Sequence, residues 1–159
     1  FPREIIPLSG FFVFMVDFCI SIALYFILLL VYGYDLSLDL FLLIPIILLM
    51  SVFVVSVGMC LSSLNVYYRD VKLASSFIIQ SMFFASPVFY SVSDKDSGIK
   101  MIVYLNPMTF IIESFREVTL KGVSPDPVVF LVMAVVIFLF FLFSYKLFIR
   151  MEKAFADVI

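Results

Sequence analysis

Residues 40–64 read Leu40-FLLIPIILLMSVFVVSVGMCLSS-Leu64, and this stretch decides the fold. It carries no charged side chain over a length that exceeds the ~20 residues a helix needs to cross the hydrocarbon core of a bilayer. Pro45 lies about one turn inside the run, where it starts or kinks a helix. Ser62, Ser63 and Asn65 mark a polar exit. Positions 41–50 are apolar almost without alternation, which argues against a barrel strand and for a helix whose backbone satisfies itself inside lipid.

The rest of the 159-residue chain repeats the pattern. Residues 7–32 form an apolar run broken only by Asp17, then Gly33-Tyr34-Asp35 turn the chain. Residues 73–90 form the shortest run, holding Gln80 and closing on Ser86-Pro87, where a bend is expected. Residues 128–148 are uncharged until Lys146, which can snorkel to the interface. The fold class expected is all-α integral membrane: four transmembrane helices plus short outer re-entrant helices within residues 99–121. With 65% hydrophobic and 14% charged residues and a mean hydropathy of +1.24, a water-soluble enzyme or free binding module is excluded.

Four crossings put both ends of the segment on one side, together with the loop between the second and third runs. That side carries Arg3, Arg69, Lys72, Lys146, Arg150 and Lys153, against Lys95, Lys100, Arg116 and Lys121 on the other. The basic bias places both ends in the cytoplasm. The opposite connection, 91–127, contains an amphipathic stretch after Asn106-Pro107, with Asn106 as N-cap and proline at the first helical position. Phe110, Ile111, Phe115 and Val118 share an apolar side, and Glu113, Arg116, Glu117 and Lys121 are polar. Glu113 and Glu117 flank Arg116 at helical spacing. The apolar content of 101–105 suits a segment dipping back into the outer leaflet, at a pore mouth or an interface.

Catalytic patterns are missing. There is no histidine, no GxxxxGK phosphate loop and no GxSxG elbow. No cofactor or metal is expected in this chain. Cys19 and Cys60 lie in separate apolar runs and read as packing or lipid-side thiols. A net charge of −2 and scattered basic residues argue against nucleic acid. Asp17 has two readings: a polar group in a translocation path, or a packing hydrogen bond to a neighbouring helix. The loop 65–72 reads either as interfacial anchoring or as contact with a soluble partner. The 21 Phe and 8 Tyr serve as lipid-facing bulk and interface belts, or in part line a path that stacks on sugar rings.

Several local motifs resemble the ABC-2 type permeases that export polysaccharides. These are Phe1-Pro2-Arg3-Glu4-Ile5-Ile6-Pro7-Leu8-Ser9; Val16-Asp17-Phe18; Leu64-Asn65-Val66-Tyr67-Tyr68-Arg69-Asp70-Val71; Ser86-Pro87-Val88; Leu105-Asn106-Pro107-Met108-Thr109 followed by Glu113 and Arg116; and the tail ending Phe155-Ala156-Asp157-Val158-Ile159. The resemblance covers the whole chain. It implies the last four spans of a six-span permease in the bacterial inner membrane, paired with a second copy and with a separate ATP-binding subunit that holds ATP and magnesium. By the same carry-over, Phe1, Pro2, Arg3, Glu4, Tyr68, Arg69 and Asp70 couple to the ATP-binding partner. Asn106, Pro107, Glu113 and Arg116 belong to an outer gate, and Asp17 and Gln80 are intramembrane polar positions. The implied cargo is a lipid-linked glycan: O-antigen, capsular polysaccharide or teichoic acid. A drug or small-lipid exporter of the same class, a membrane scaffold subunit and an intramembrane enzyme stand as alternatives.

Overall fold

A computed structural model describes residues 5–34, 38–68, 70–88, 90 and 106–155. Among the described residues there are helices and turns and no strand. Helix α1 spans Ile5–Val31 and is closed by Gly33, whose φ of 76° suits a residue without Cβ. A 3-10 turn, Leu38–Leu42, leads directly into α2, Leu43–Tyr67. Pro45 sits in the first turn of α2, where no intrahelical N–H is needed, so it starts the helix without breaking it. Helix α3, Val71–Ala85, follows after a very short connection. Helix α4, Pro107–Arg116, continues into a π-helical turn, Glu117–Lys121. Gly122 stops that turn with φ at 60° in the left-handed region, which the chain reaches cheaply only with glycine. Helix α5 spans Pro127–Phe155, with Asp126 accepting from the N–H groups of Val128 (2.8 Å) and Val129 (3.4 Å) at its start.

Among the described residues, three helices hold apolar segments long enough to cross a membrane: Gly10–Val31, Asp39–Asn65 and Pro127–Met151. Helix α3 is shorter. Its 15 residues give about 22 Å at 1.5 Å per residue, less than the ~30 Å hydrocarbon core. The apolar run 73–90 is therefore helical only as far as Ala85, and Ser86–Val88 form a turn. Proline at position 87 forces this, because the residue before a proline is pushed out of the α region: Ser86 has φ −84° and ψ 145°.

Helix α2 is the centre of the molecule and packs most extensively on α5. The two run in the same direction, since Leu42 and Pro45 share a cleft with Phe130 and Leu131, and Phe53 meets Phe140 further along at 6.1 Å between ring centroids. Helix α1 runs antiparallel to α2. Its more buried positions, Phe11, Met15, Phe18, Ile22, Tyr25, Phe26 and Leu29, recur every three or four residues, so they form one stripe on the helix. The hydrophobic core gathers where α2 and α5 begin: Leu43, Ile46, Leu49, Phe110, Ile111, Val118 and Ile137. Helix α4 and its π turn are thus built into the core. Lipid is as apolar as leucine, so association here rests on close packing more than on the exclusion of water. Ile137 has no exposed surface, and Ile137→Ala leaves a cavity costing about 2 kcal/mol. The expected outcome is a lowered melting temperature for the purified protein in detergent.

Candidate functional site: a polar clamp at the end of a short helix

The broken end of α3 raises an accounting problem. A helix leaves its last carbonyls unpaired, and the turn that follows adds more. At membrane depth no water answers them, so protein must. Ser86 takes the first share: its N–H and its hydroxyl both donate to Met82 O, at 2.9 and 2.8 Å. The Tyr90 hydroxyl donates to Ala85 O at 3.0 Å.

Helix α4 supplies the rest. Arg116 Nη2 donates to Pro87 O at 2.8 Å and to Val88 O at 3.4 Å, while Nη1 donates to Tyr90 O at 3.3 Å and to Glu113 Oε1 at 3.0 Å. The two short contacts carry most of the interaction, and the two longer ones are marginal by hydrogen-bond geometry. Guanidinium suits this role because its rigid planar fork presents donors in several directions at once. Asn106 closes the other side. Its Oδ1 accepts from Met108 N–H at 3.0 Å and caps α4, while its Nδ2 donates to Ser86 Oγ at 3.0 Å. One amide thereby starts α4 and holds α3.

The pair Arg116–Glu113 is poorly exposed, with 24% and 10% of the side chains accessible. Glu113 therefore departs from the simple amphipathic reading of residues 107–121. It is buried beside Arg116, where the guanidinium offsets the cost of taking a carboxylate out of water. The Lys121–Glu117 pair, at 3.8 Å and half exposed, is a surface contact of little energetic weight.

A second tie comes from α1. Thr119 Oγ1 donates its single proton to Phe115 O at 2.8 Å. The 2.8 Å contact between Tyr25 Oη and Thr119 Oγ1 is therefore a bond donated by Tyr25. Tyr25 also meets Phe115, with ring centroids 5.6 Å apart. Between α2, α3 and α4 lies an apolar cavity of about 240 Å³, walled by Phe53 and Val57, Ile79, Met82 and Phe83, and Met108 and Ile112.

Of the residues singled out from sequence, the structure brings Asn106, Glu113 and Arg116 together with Ser86-Pro87-Val88, and Pro107 opens α4 behind Asn106. Asp17 and Gln80 are not part of this cluster. Asp17 is exposed on α1, where its backbone oxygen accepts from Ser21 Oγ at 2.9 Å, and Gln80 is exposed midway along α3. Tyr68 and Asp70 are exposed at the turn between α2 and α3. Phe1, Pro2, Arg3, Glu4 and Arg69 lie outside the described residues, as do 99–105 of the expected re-entrant segment. Tyr25, Thr119 and the carbonyl of Tyr90 were not legible beforehand: no local pattern distinguishes them from other aromatics and hydroxyls in apolar runs.

Among the described residues the protein is thus all-helical, with three helices apolar and long enough to cross a membrane and a short third helix clamped by a partly buried arginine. Residues 3–120 match the model of the ABC-2 type transporter family. The chain belongs to that family, and it is a multi-pass membrane protein. It is 33% identical over 124 residues to the O-antigen export system permease protein RfbA of Klebsiella pneumoniae, covering 77% of this chain and 48% of that protein. It is 27% identical over 128 residues to the protein of that name from Myxococcus xanthus, covering 79% and 49%. The chain thus spans about half the length of the curated relatives it matches. Membership implies a membrane setting, in keeping with the apolar helices.

Proposed function

We propose that this chain forms part of the permease of an ATP-driven exporter that moves a lipid-linked polysaccharide, of the O-antigen, capsule or teichoic acid kind, across the bacterial cytoplasmic membrane. The observation that carries the reading is the joint one of family and relatives: an ABC-2 type chain whose similar proteins are O-antigen export permeases. The chain then works as one half of a channel beside a second copy. ATP and magnesium are held and hydrolysed by a separate subunit, and this chain holds no cofactor.

In this reading both ends of the segment face the cytoplasm. Phe1, Pro2, Arg3 and Glu4, together with Tyr68, Arg69 and Asp70 in the sequence between α2 and α3, receive motion from the ATP-binding partner, and α4 with its π turn forms the outer gate. The clamp explains how such a gate is held: Asn106 and Arg116 tie the end of α3 to a helix that is itself part of the core. Sugar rings have apolar CH faces and a rim of hydroxyls. Weak, repeated contacts with aromatic faces suit a sliding polymer better than one tight site.

Deleting the gene tests this. Surface glycan is expected to disappear while complete lipid-linked glycan accumulates inside the cell. Unchanged surface glycan with raised sensitivity to small toxic compounds would instead favour a drug or small-lipid exporter. The exposure of Asp17 on α1 supports a role against a surface outside the described residues, because a carboxylate does not remain in contact with hydrocarbon. Asp17→Asn keeps the hydrogen-bonding shape and removes the charge. Normal export by this variant assigns Asp17 to helix packing, and a drop of about tenfold or more assigns it to the translocation path.

A further inference from the structure

We propose that α1 is a lever: it pivots about its pinned outer end, and its opposite half closes onto α2 across a gap framed by Gly10 and Gly58 during the transport cycle. The proposal rests on the export reading above, since it supplies the motion that the exporter needs.

The two halves of α1 are held very differently. At the outer end, Tyr25 donates to Thr119, its ring meets Phe115, Phe26 packs against the core and Leu29 is buried. At the other end lies an open gap of about 290 Å³, lined by Gly10, Phe11 and Phe14 of α1 and by Val54, Val55, Gly58 and Ser62 of α2. Between the two, α1 continues from Leu8 to Val31 without proline or a break, so it transmits a tilt along its length.

The glycines make the argument. Glycine inside a helix costs about 1 kcal/mol relative to alanine. Between membrane helices it is used where two backbones must approach closely. Here the use is absent: a Cβ added at Gly10 or at Gly58 meets nothing within 4 Å. Both residues nevertheless line the same gap, one from each helix. The close approach they permit therefore belongs to a second arrangement, in which the gap has shut. Packed interfaces switch between discrete arrangements, and a space with a glycine in each wall is one that such a switch can close.

The test uses the exporter assembled with its ATP-binding partner in cell membranes. Gly10→Leu and Gly58→Leu place their Cβ atoms in open space and put bulk in the gap that obstructs closure. Expected are wild-type amounts of protein in the membrane and export reduced about tenfold or more, as when one of two required states is disfavoured. Wild-type export by both variants overturns the proposal and leaves the gap as a seat for a lipid chain. A second measurement stands apart from export and from the folding of the leucine variants. With Cys19 and Cys60 replaced by alanine, Phe14→Cys and Val55→Cys are joined by a short thiol-reactive linker. The yield is expected to change several-fold between nucleotide-free and ATP-trapped exporter. Equal yields overturn the lever, whatever the cargo. If surface glycan proves independent of this protein while the yield still responds to ATP, the export reading fails and the lever stands.

Discussion

Arg116→Ala is expected to abolish surface glycan while the protein is still made. The substitution removes the cation beside Glu113, a side chain only 10% accessible, and the donor 2.8 Å from Pro87 O. Each hydrogen bond to a charged group is worth about 1.5–3 kcal/mol, and Arg116 makes two short ones. The combined loss is about 3 kcal/mol, a large share of a typical folding free energy. The damage is local, because α3 has no buried residue of its own and depends on its end for attachment. Arg116→Lys separates charge from geometry. Two different nitrogens serve Glu113 and Pro87, and one ammonium cannot copy that fork. The lysine variant should therefore keep some stability and lose most of the export. Glycan display on whole cells, set beside the melting temperature of purified protein, checks both. Full export by Arg116→Ala would remove the clamp from the account.

The second large effect is expected at the turn between α2 and α3. Arg69→Glu should stop export and also reduce the amount of ATP-binding subunit that copurifies. The turn is very short, with Tyr68 and Asp70 exposed on either side of position 69. A soluble partner can reach such a turn, and reversing a charge at a contact costs more than deleting it, because like charges then face one another. The variant should leave the melting temperature of the isolated permease nearly unchanged. That distinguishes it from Arg116→Ala, which lowers it. If export and copurification both survive, the turn serves only as an interfacial anchor.

These two arginines show what the sequence could and could not disclose. The helices were legible because an uncharged run such as 40–64 leaves the chain little choice in lipid. The cap at Asn106-Pro107 was legible because it is local: the side chain bonds an N–H two residues away. The third run was readable as bent but not as a helix ending at Ala85, since that depends on how the carbonyls after it are satisfied. Their partner, Arg116, lies 29 residues beyond Pro87, and no periodicity links the two. Glu113 is a similar case. Helical spacing pairs it with Arg116, but only packing decides that the pair is buried. Tyr25 is a third. One hydroxyl in the aromatic-rich stretch 11–34 carries the tie to Thr119, and nothing in the neighbouring residues marks it.

The most direct test of the central claim uses inverted membrane vesicles that contain the exporter and its partner, loaded on their outer face with lipid-linked glycan. ATP is expected to make the glycan resistant to an added glycosidase that cannot cross the membrane, because the chain moves into the lumen. Vesicles carrying Arg116→Ala should show no such protection. Glycan that stays fully degradable after ATP addition to wild-type vesicles would contradict the account.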